Sequence, residues 1–289
     1  MKIYPLPVDP LLQPAQQDFL APPHNEQWNV CTDFEAWLHS QSGLVTDNRA
    51  EADWDYLPIY WNRVYINYDW GEGLQPELQA EISRLVDPAR RTFTICEYDV
   101  VEMQPHLDLH GMVVFTASRR GERGVDIPLL CTPHLRRGRR PKKRWLASFV
   151  GNLETWGIRS GMADVLGDRD DCCLMHGQYG TGFFVDLLLR SYVALAPRGH
   201  GGQSFRFYEA MQLGVVPAYV SDLDCRPFKR WIDWDACSLW YPSPEGLAEL
   251  PGLCKQRLLR MGENAARVYA EHLAYGRWCR YVIRELEAL

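Results

Sequence analysis

The chain has 289 residues and a net charge of −6. That is room for one large domain or two of ordinary size, and the wrong sign for bulk binding to nucleic acid or acidic membranes. No apolar run approaches the ~20 residues of a membrane span, and the start, "MKIYPLPVDPLLQP", is broken by prolines and lacks the apolar stretch of a signal peptide.

The nine cysteines are scattered, with no C-x-x-C pair, and read as reduced thiols of a cytoplasmic protein. The 11 Trp and 14 Tyr suit sugar and nucleotide sites as well as cores.

Taken in chain order, the first half offers strands in "WDYLPIYW" (54–61), "TFTICEY" (92–98), "MVVFTAS" (112–118) and "DIPLL" (126–130), with a helix over 76–86. The basic stretch "LRRGRRPKKRW" (135–145) reads as a solvated linker between domains, with contact to an anionic lipid surface as a secondary role. After it the pattern sharpens. "RWLASFV" (144–150), "DCCLMH" (171–176), "YVALAP" (192–197) and "VVPAYVS" (215–221) read as buried strands. Helices fall between them. One carries Ile158, Met162, Val165 and Leu166, one is "FFVDLLLRS" (183–191), and one is capped by Ser204 and runs to Gly214. From about Leu253 the tail reads as helices. Alternating strands and helices imply an α/β chain with parallel sheets. The expected division is an N-terminal α/β domain over 1–140, a ligand-binding domain over 141–270, and a helix over 271–289 packing back toward the first.

The stretch "LAPRGHGGQSFRFYEAMQLGVVPAYVSD" (195–222) carries the most chemistry. Arg198 follows a buried strand at its C-terminal edge, where open α/β sheets bind ligands. A glycine-rich loop then leads into a helix start, whose free N–H groups favour anions. Arg206 lies in the first turn of that helix, where a cation opposes the dipole unless something negative is beside it. Two readings are open for Arg206 and Glu209, three residues apart: an intrahelical ion pair, or a diphosphate held by the arginines with ribose hydroxyls on the carboxylate. There is no G-x-x-x-x-G-K-[ST], and "GHGGQS" does not fit G-x-G-x-x-G.

This stretch closely resembles the signature of the exostosin-like glycosyltransferases: Pro-Arg-Gly, a gap, Ser-Phe-Arg-Phe/Leu-x-Glu-Ala, Gly-x-x-Pro, and a strand ending in Ser-Asp. "KKRWLASFVGN" and "RPFKRWIDWDAC" resemble flanking pieces, so the likeness runs from Lys142 to Trp240, and the first half is similar only around "DWDYLPIYW". The resemblance implies a GT-B fold, with two Rossmann-like domains facing across a cleft. It also implies a nucleotide-sugar donor, usually UDP-linked, inversion at the anomeric carbon, and neither an essential metal nor another cofactor. By position it assigns Arg198, Gly199, Ser204 and Arg206 to the diphosphate loop and Glu209 to the ribose. Arg159 matches a recurrent family arginine, with a surface helix position as the other reading. Many family members carry an N-terminal membrane anchor. None is read here, so a cytoplasmic enzyme of cell-surface or viral glycan synthesis is expected.

Inverting transfer needs a general base, and a carboxylate or histidine suits it. The first candidate is Asp69, in the aromatic "YINYDWGEG". Glu97 and Asp99 follow a strand end, and Asp108 and His110 complete the set. "HLDLH" (106–110) would put three polar side chains on one face if it were a strand, which leaves a metal-dependent hydrolase as an alternative. No supporting cluster surrounds it. The D-x-D pairs Asp53/Asp55, Asp222/Asp224 and Asp233/Asp235 fit chance in an acidic chain. A non-catalytic glycan- or partner-binding protein on the same scaffold is the remaining alternative.

Overall fold

A computed structural model describes residues 1–15, 30–67, 73, 75–97, 99, 101, 106–134 and 140–289. The chain divides into two units, Met1–Leu130 with Tyr275–Leu289, and Cys131–Ala274. The basic stretch lies in the second unit, and its residues 135–139 fall outside the described residues.

The first unit is built on a parallel sheet whose strands follow chain order: β1 (Ile3–Pro5), β2 (Trp54–Tyr56), β3 (Thr92–Cys96), β4 (Val113–Thr116) and β5 (Val125–Asp126). Its helices include α1 (Val30–Ser40), α2 (Trp61–Asn67) and α3 (Gln75–Leu85). The apolar run 54–61, expected to be one strand, is a three-residue strand and a helix start. Pro58 has no N–H for a ladder, and Trp61 turns into the core, where its indole donates to Thr94 Oγ1 at 2.8 Å. Pro128 likewise ends the last strand at Asp126, well short of the expected 130. Asp55, fully buried in β2, is neutralised by Arg49 at 2.7 Å and Arg90 at 2.9 Å, as a charge taken out of water requires.

The second unit follows the expected alternation. Its elements are β6 (Trp145–Gly151), α4 (Gly157–Leu166), β7 (Cys172–His176), α5 (Thr181–Leu189), β8 (Ser191–Pro197), α6 (Phe205–Gln212), β9 (Val216–Val220), β10 (Leu239–Tyr241) and α7 (Lys255–Val268). All five strands are parallel, in the order β10-β9-β8-β6-β7. Strand order therefore reverses between β6 and β8, a topological switch point where doubly wound sheets open a crevice at their C-terminal edge. Period-two alternation along β8 sends Val193 and Leu195 to the core that α4 and α7 share, and Ala194 to the opposite face with α5 and α6. Helix α7 packs so closely that a Cβ on Gly262 would lie 2.5 Å from the Gly214 carbonyl.

After α7 a π-turn (Tyr269–Leu273) leads back to the first unit and α8 (Cys279–Ala288). There Asp33 of α1 accepts from the Gly276 N–H and the Trp278 indole, both at 2.8 Å. No helix among the described residues is long and apolar enough to cross a membrane.

Candidate active site

At the switch point, the C-terminal ends of β6 and β8 are held by arginines. Arg159, on the first turn of α4, donates through Nε to the Arg198 carbonyl at 3.0 Å and through Nη1 to the Asn152 carbonyl at 3.0 Å and Thr155 Oγ1 at 3.3 Å. Arg206, second residue of α6, donates through Nε to the Val150 carbonyl at 2.9 Å. Both guanidinium groups sit over the buried Phe149 ring, Arg206 at 4.9 Å and Arg159 at 5.9 Å from its centroid. Arg159 is thus a buried residue of the site and not a surface arginine.

Two cations around one ring repel each other, and burial strips them of water. Burial, with the Arg206 charge adding to it, lowers Arg159 to about 10. Burial also holds Arg206 below its ordinary value, opposed in part by Glu209. Among the described residues neither arginine has a carboxylate within ion-pair distance. Two desolvated cations without a paired carboxylate are costly in a resting protein and stabilised by an anion. Two phosphate groups have that chemistry. The crevice is open to them because Gly151 ends β6 with φ +149° and no side chain beside Arg206, and Gly199 leaves the approach to Arg159 clear.

Arg198 is buried and points the other way. It pairs with Asp222 at the end of β9, reaches the His200 carbonyl at 3.2 Å, and lies 5.0 Å from the Trp156 ring centroid. Its Nε is buried and has no partner among the described residues. Ser204 stands at the N-cap of α6 but does not cap it. The Phe207 N–H turns back to the Ser204 carbonyl at 3.0 Å, and the buried Ser204 hydroxyl has no partner among the described residues. An orphaned polar atom at a helix start is a feature that a polar ligand resolves.

Glu209 does not pair with Arg206. It is buried one turn on and bonds His134 Nε2 at 3.1 Å. His134 is fixed by its own N–H donating to Gln212 Oε1 at 2.7 Å. The sequence reading missed His134: it lies 75 residues before Glu209, outside every motif. Arg159, Arg198, Gly199 and Arg206 are brought together, while Ser204 and Glu209 flank them along α6.

The base candidates belong to the first unit. Asp69 lies outside the described residues. Glu97 follows β3 and is fully buried, accepting from the N–H groups of Cys31 at 3.4 Å and Asn62 at 3.5 Å, in the first turns of α1 and α2. Burial pushes it up to about 7. Asp99 is buried and paired with Arg120. "HLDLH" is irregular loop, not strand. His110 adopts φ +49° and bonds Asp108 at 3.3 Å and Ser83 at 3.2 Å, and no group of three or more His, Cys, Asp or Glu among the described residues is placed to hold a metal ion.

Glu97 makes stability pH-dependent in a definite direction. Its folded pKa lies above the unfolded value, so the native state holds the proton longer and stability falls as pH rises through about 4.5 to 7. The loss is of order 3 kcal/mol. Urea unfolding of Glu97→Gln against the parent from pH 4 to 8 is expected to show the gap opening in the variant's favour over that window. A constant difference would contradict it.

The family model for the exostosin GT47 domain matches residues 98–248, more than half of the chain. Among curated proteins, the chain is similar to the "Exostosin-1 homolog" of Caenorhabditis elegans, 28% identical over 159 residues that cover 46% of this chain and 41% of that protein. It is also similar to Exostosin-1 of Drosophila melanogaster, 38% identical over 63 residues covering 22% and 8%. The chain thus spans less than half the length of these relatives. Among solved structures TarM has a TM-score of 0.44 at 9% identity, covering 81% of this chain and 54% of TarM, a likeness that bears on neither ligand nor chemistry. With two parallel-sheet α/β units and a family model matched over more than half its length, the chain belongs to the exostosin GT47 family of glycosyltransferases.

Proposed function

We propose that the chain transfers a hexosyl or pentosyl group from a UDP-sugar to a hydroxyl of a glycan acceptor, with inversion and without a metal, in cell-surface or viral glycan synthesis. The observation that supports this most is the pair Arg159 and Arg206 at the switch-point crevice, desolvated and, among the described residues, without a carboxylate at ion-pair distance. In this reading the acceptor oxygen attacks the anomeric carbon as a base takes its proton. The bond to the diphosphate breaks, and its electron pair goes to the departing phosphate oxygen. The two guanidinium groups and the start of α6 stabilise that developing charge. Glu209, oriented by His134, accepts from ribose hydroxyls through the oxygen His134 leaves free. The nine free thiols support the cytoplasm as the compartment.

Asp69 is the base in this scheme. Asp69→Asn is expected to bind UDP as the parent does and to lose roughly a thousandfold in the rate of sugar transfer, read by calorimetry and by single-turnover transfer with a panel of UDP-sugars. Normal transfer by the variant would remove Asp69 from the role.

A further inference from the structure

The basic stretch before β6 has no part in the scheme above. From Ile127 to Leu153 the chain holds no acid. The cations at its described end divide into two sets. Arg140 and Lys143 turn onto helix C-termini. The Arg140 guanidinium fills the space beside Gly214, just after α6, and Lys143 Nζ donates to the Ser191 carbonyl, just after α5. The partial negative charge of a helix end accounts for both. Lys142 and Arg144 instead stay exposed. The Arg144 N–H donates to the Arg190 carbonyl at 2.7 Å, which places this second set at the starts of β6 and β8.

Helix α7 extends the charge along the same edge of the sheet. Lys255 Nζ lies 5.5 Å from the ring centroid of Tyr192, at the start of β8. Gly262 packs on Gly214 before β9, and Asn264 Nδ2 donates to the Ala236 carbonyl before β10 at 3.1 Å. The helix therefore crosses the N-terminal ends of three strands. Its charged side chains are Lys255, Arg257, Arg260 and Arg267 against Glu263, all exposed. Leu259, one turn after Lys255 on the same face, is 37% exposed. Two acids near this edge, Asp171 and Asp186, are taken by Arg169 at 2.9 Å and Arg190 at 2.7 Å. Lys142, Arg144 and Lys255 form no ion pair among the described residues. A chain of net charge −6 thus gathers cations on one edge, with an apolar side chain among them.

We propose that this edge docks the protein on a bilayer of anionic lipid, with Lys142, Arg144 and Lys255 against the headgroups and Leu259 entering the interface. Cations set beside an exposed apolar side chain on an amphipathic helix suit a surface that is charged outside and apolar beneath. A soluble polyanion would use the cations and gain nothing from the leucine. The negative charge elsewhere on the protein does not oppose docking, because salt screens it beyond ~8 Å. The crevice opens at the other edge of the same sheet, so docking here leaves the crevice clear of lipid.

The test is co-sedimentation with vesicles of phosphatidylcholine alone and with about a third phosphatidylglycerol. The parent is expected to bind only the anionic vesicles and to leave them at about 0.5 M salt. Lys142→Gln/Arg144→Gln/Lys255→Gln is expected to bind about a hundredfold more weakly, at about fivefold for each cation. Leu259→Gln is expected to lose about fivefold. All four side chains are exposed, and melting temperatures check that the fold is unchanged. A parent that binds neither vesicle, or both equally, overturns the proposal, as does a triple variant that binds like the parent. Leu259→Gln binding as the parent does would make the edge a site for any polyanion, and the bilayer assignment would fall.

Discussion

Arg206→Leu is expected to weaken UDP binding about a hundredfold and to leave the unliganded protein as stable as the parent or more stable. The two effects have one cause. Arg206 is a half-buried cation beside the buried Arg159, and desolvation already lowers the pKa of each. In the resting protein it is compensated in part by a carbonyl bond to Val150, the face of Phe149 and the charge of Glu209 one turn on. Taking a guanidinium partly out of water without a paired carboxylate carries a desolvation cost, which a leucine of similar stem does not incur. A bound diphosphate reverses the balance, because a guanidinium meets phosphate oxygens with two parallel charge-assisted bonds, and truncating one partner of such a pair costs about 2–5 kcal/mol. Calorimetry with UDP and thermal melts without ligand read the two quantities. A variant that melts far below the parent would make Arg206 a structural residue and count against the site.

Gly151→Ala is expected to be nearly as damaging from a position with no functional group at all. Gly151 closes β6 with φ +149°, a conformation L side chains rarely adopt. Its missing Cβ is the space Arg206 occupies, at 2.0 Å from Nη2 and 2.9 Å from Cζ. A methyl there displaces the guanidinium from the crevice and adds backbone strain of order 1–3 kcal/mol. UDP affinity should fall about as far as in Arg206→Leu, and melts should show the strain separately. The double variant tells the mechanism. If Gly151 acts only by seating Arg206, adding Gly151→Ala to Arg206→Leu costs little further affinity. Fully additive losses would show that Gly151 acts through something else.

Much of the second unit is legible in the sequence for a physical reason. A parallel strand covered on both faces is a short continuous apolar run, and the glycines and prolines at its ends mark where it stops. β8 and β9 read off directly, and so does the arginine that follows β8 at the sheet edge. The first unit is harder because its strands are short. β1, β2 and β5 have three, three and two residues, too few to show a period, and the run through Pro58 looks continuous although the backbone leaves the sheet. In the site, spacing suggested that Arg206 and Glu209 share a helix face. It could not show that Glu209 is taken by His134, because that contact is made by the fold and leaves no local pattern. Nor could it show that the Ser204 hydroxyl is left without a partner, since a serine at a helix start looks the same whether or not it caps.

The central proposal is that the crevice between β6 and β8 holds a uridine diphosphate on arginines and a helix start, without a metal. Calorimetric titration of the purified protein with UDP, with and without EDTA and alongside GDP and ATP, tests it most directly. The account predicts binding that prefers UDP and survives EDTA unchanged. Binding that disappears with EDTA, or no binding of any nucleotide, would contradict it.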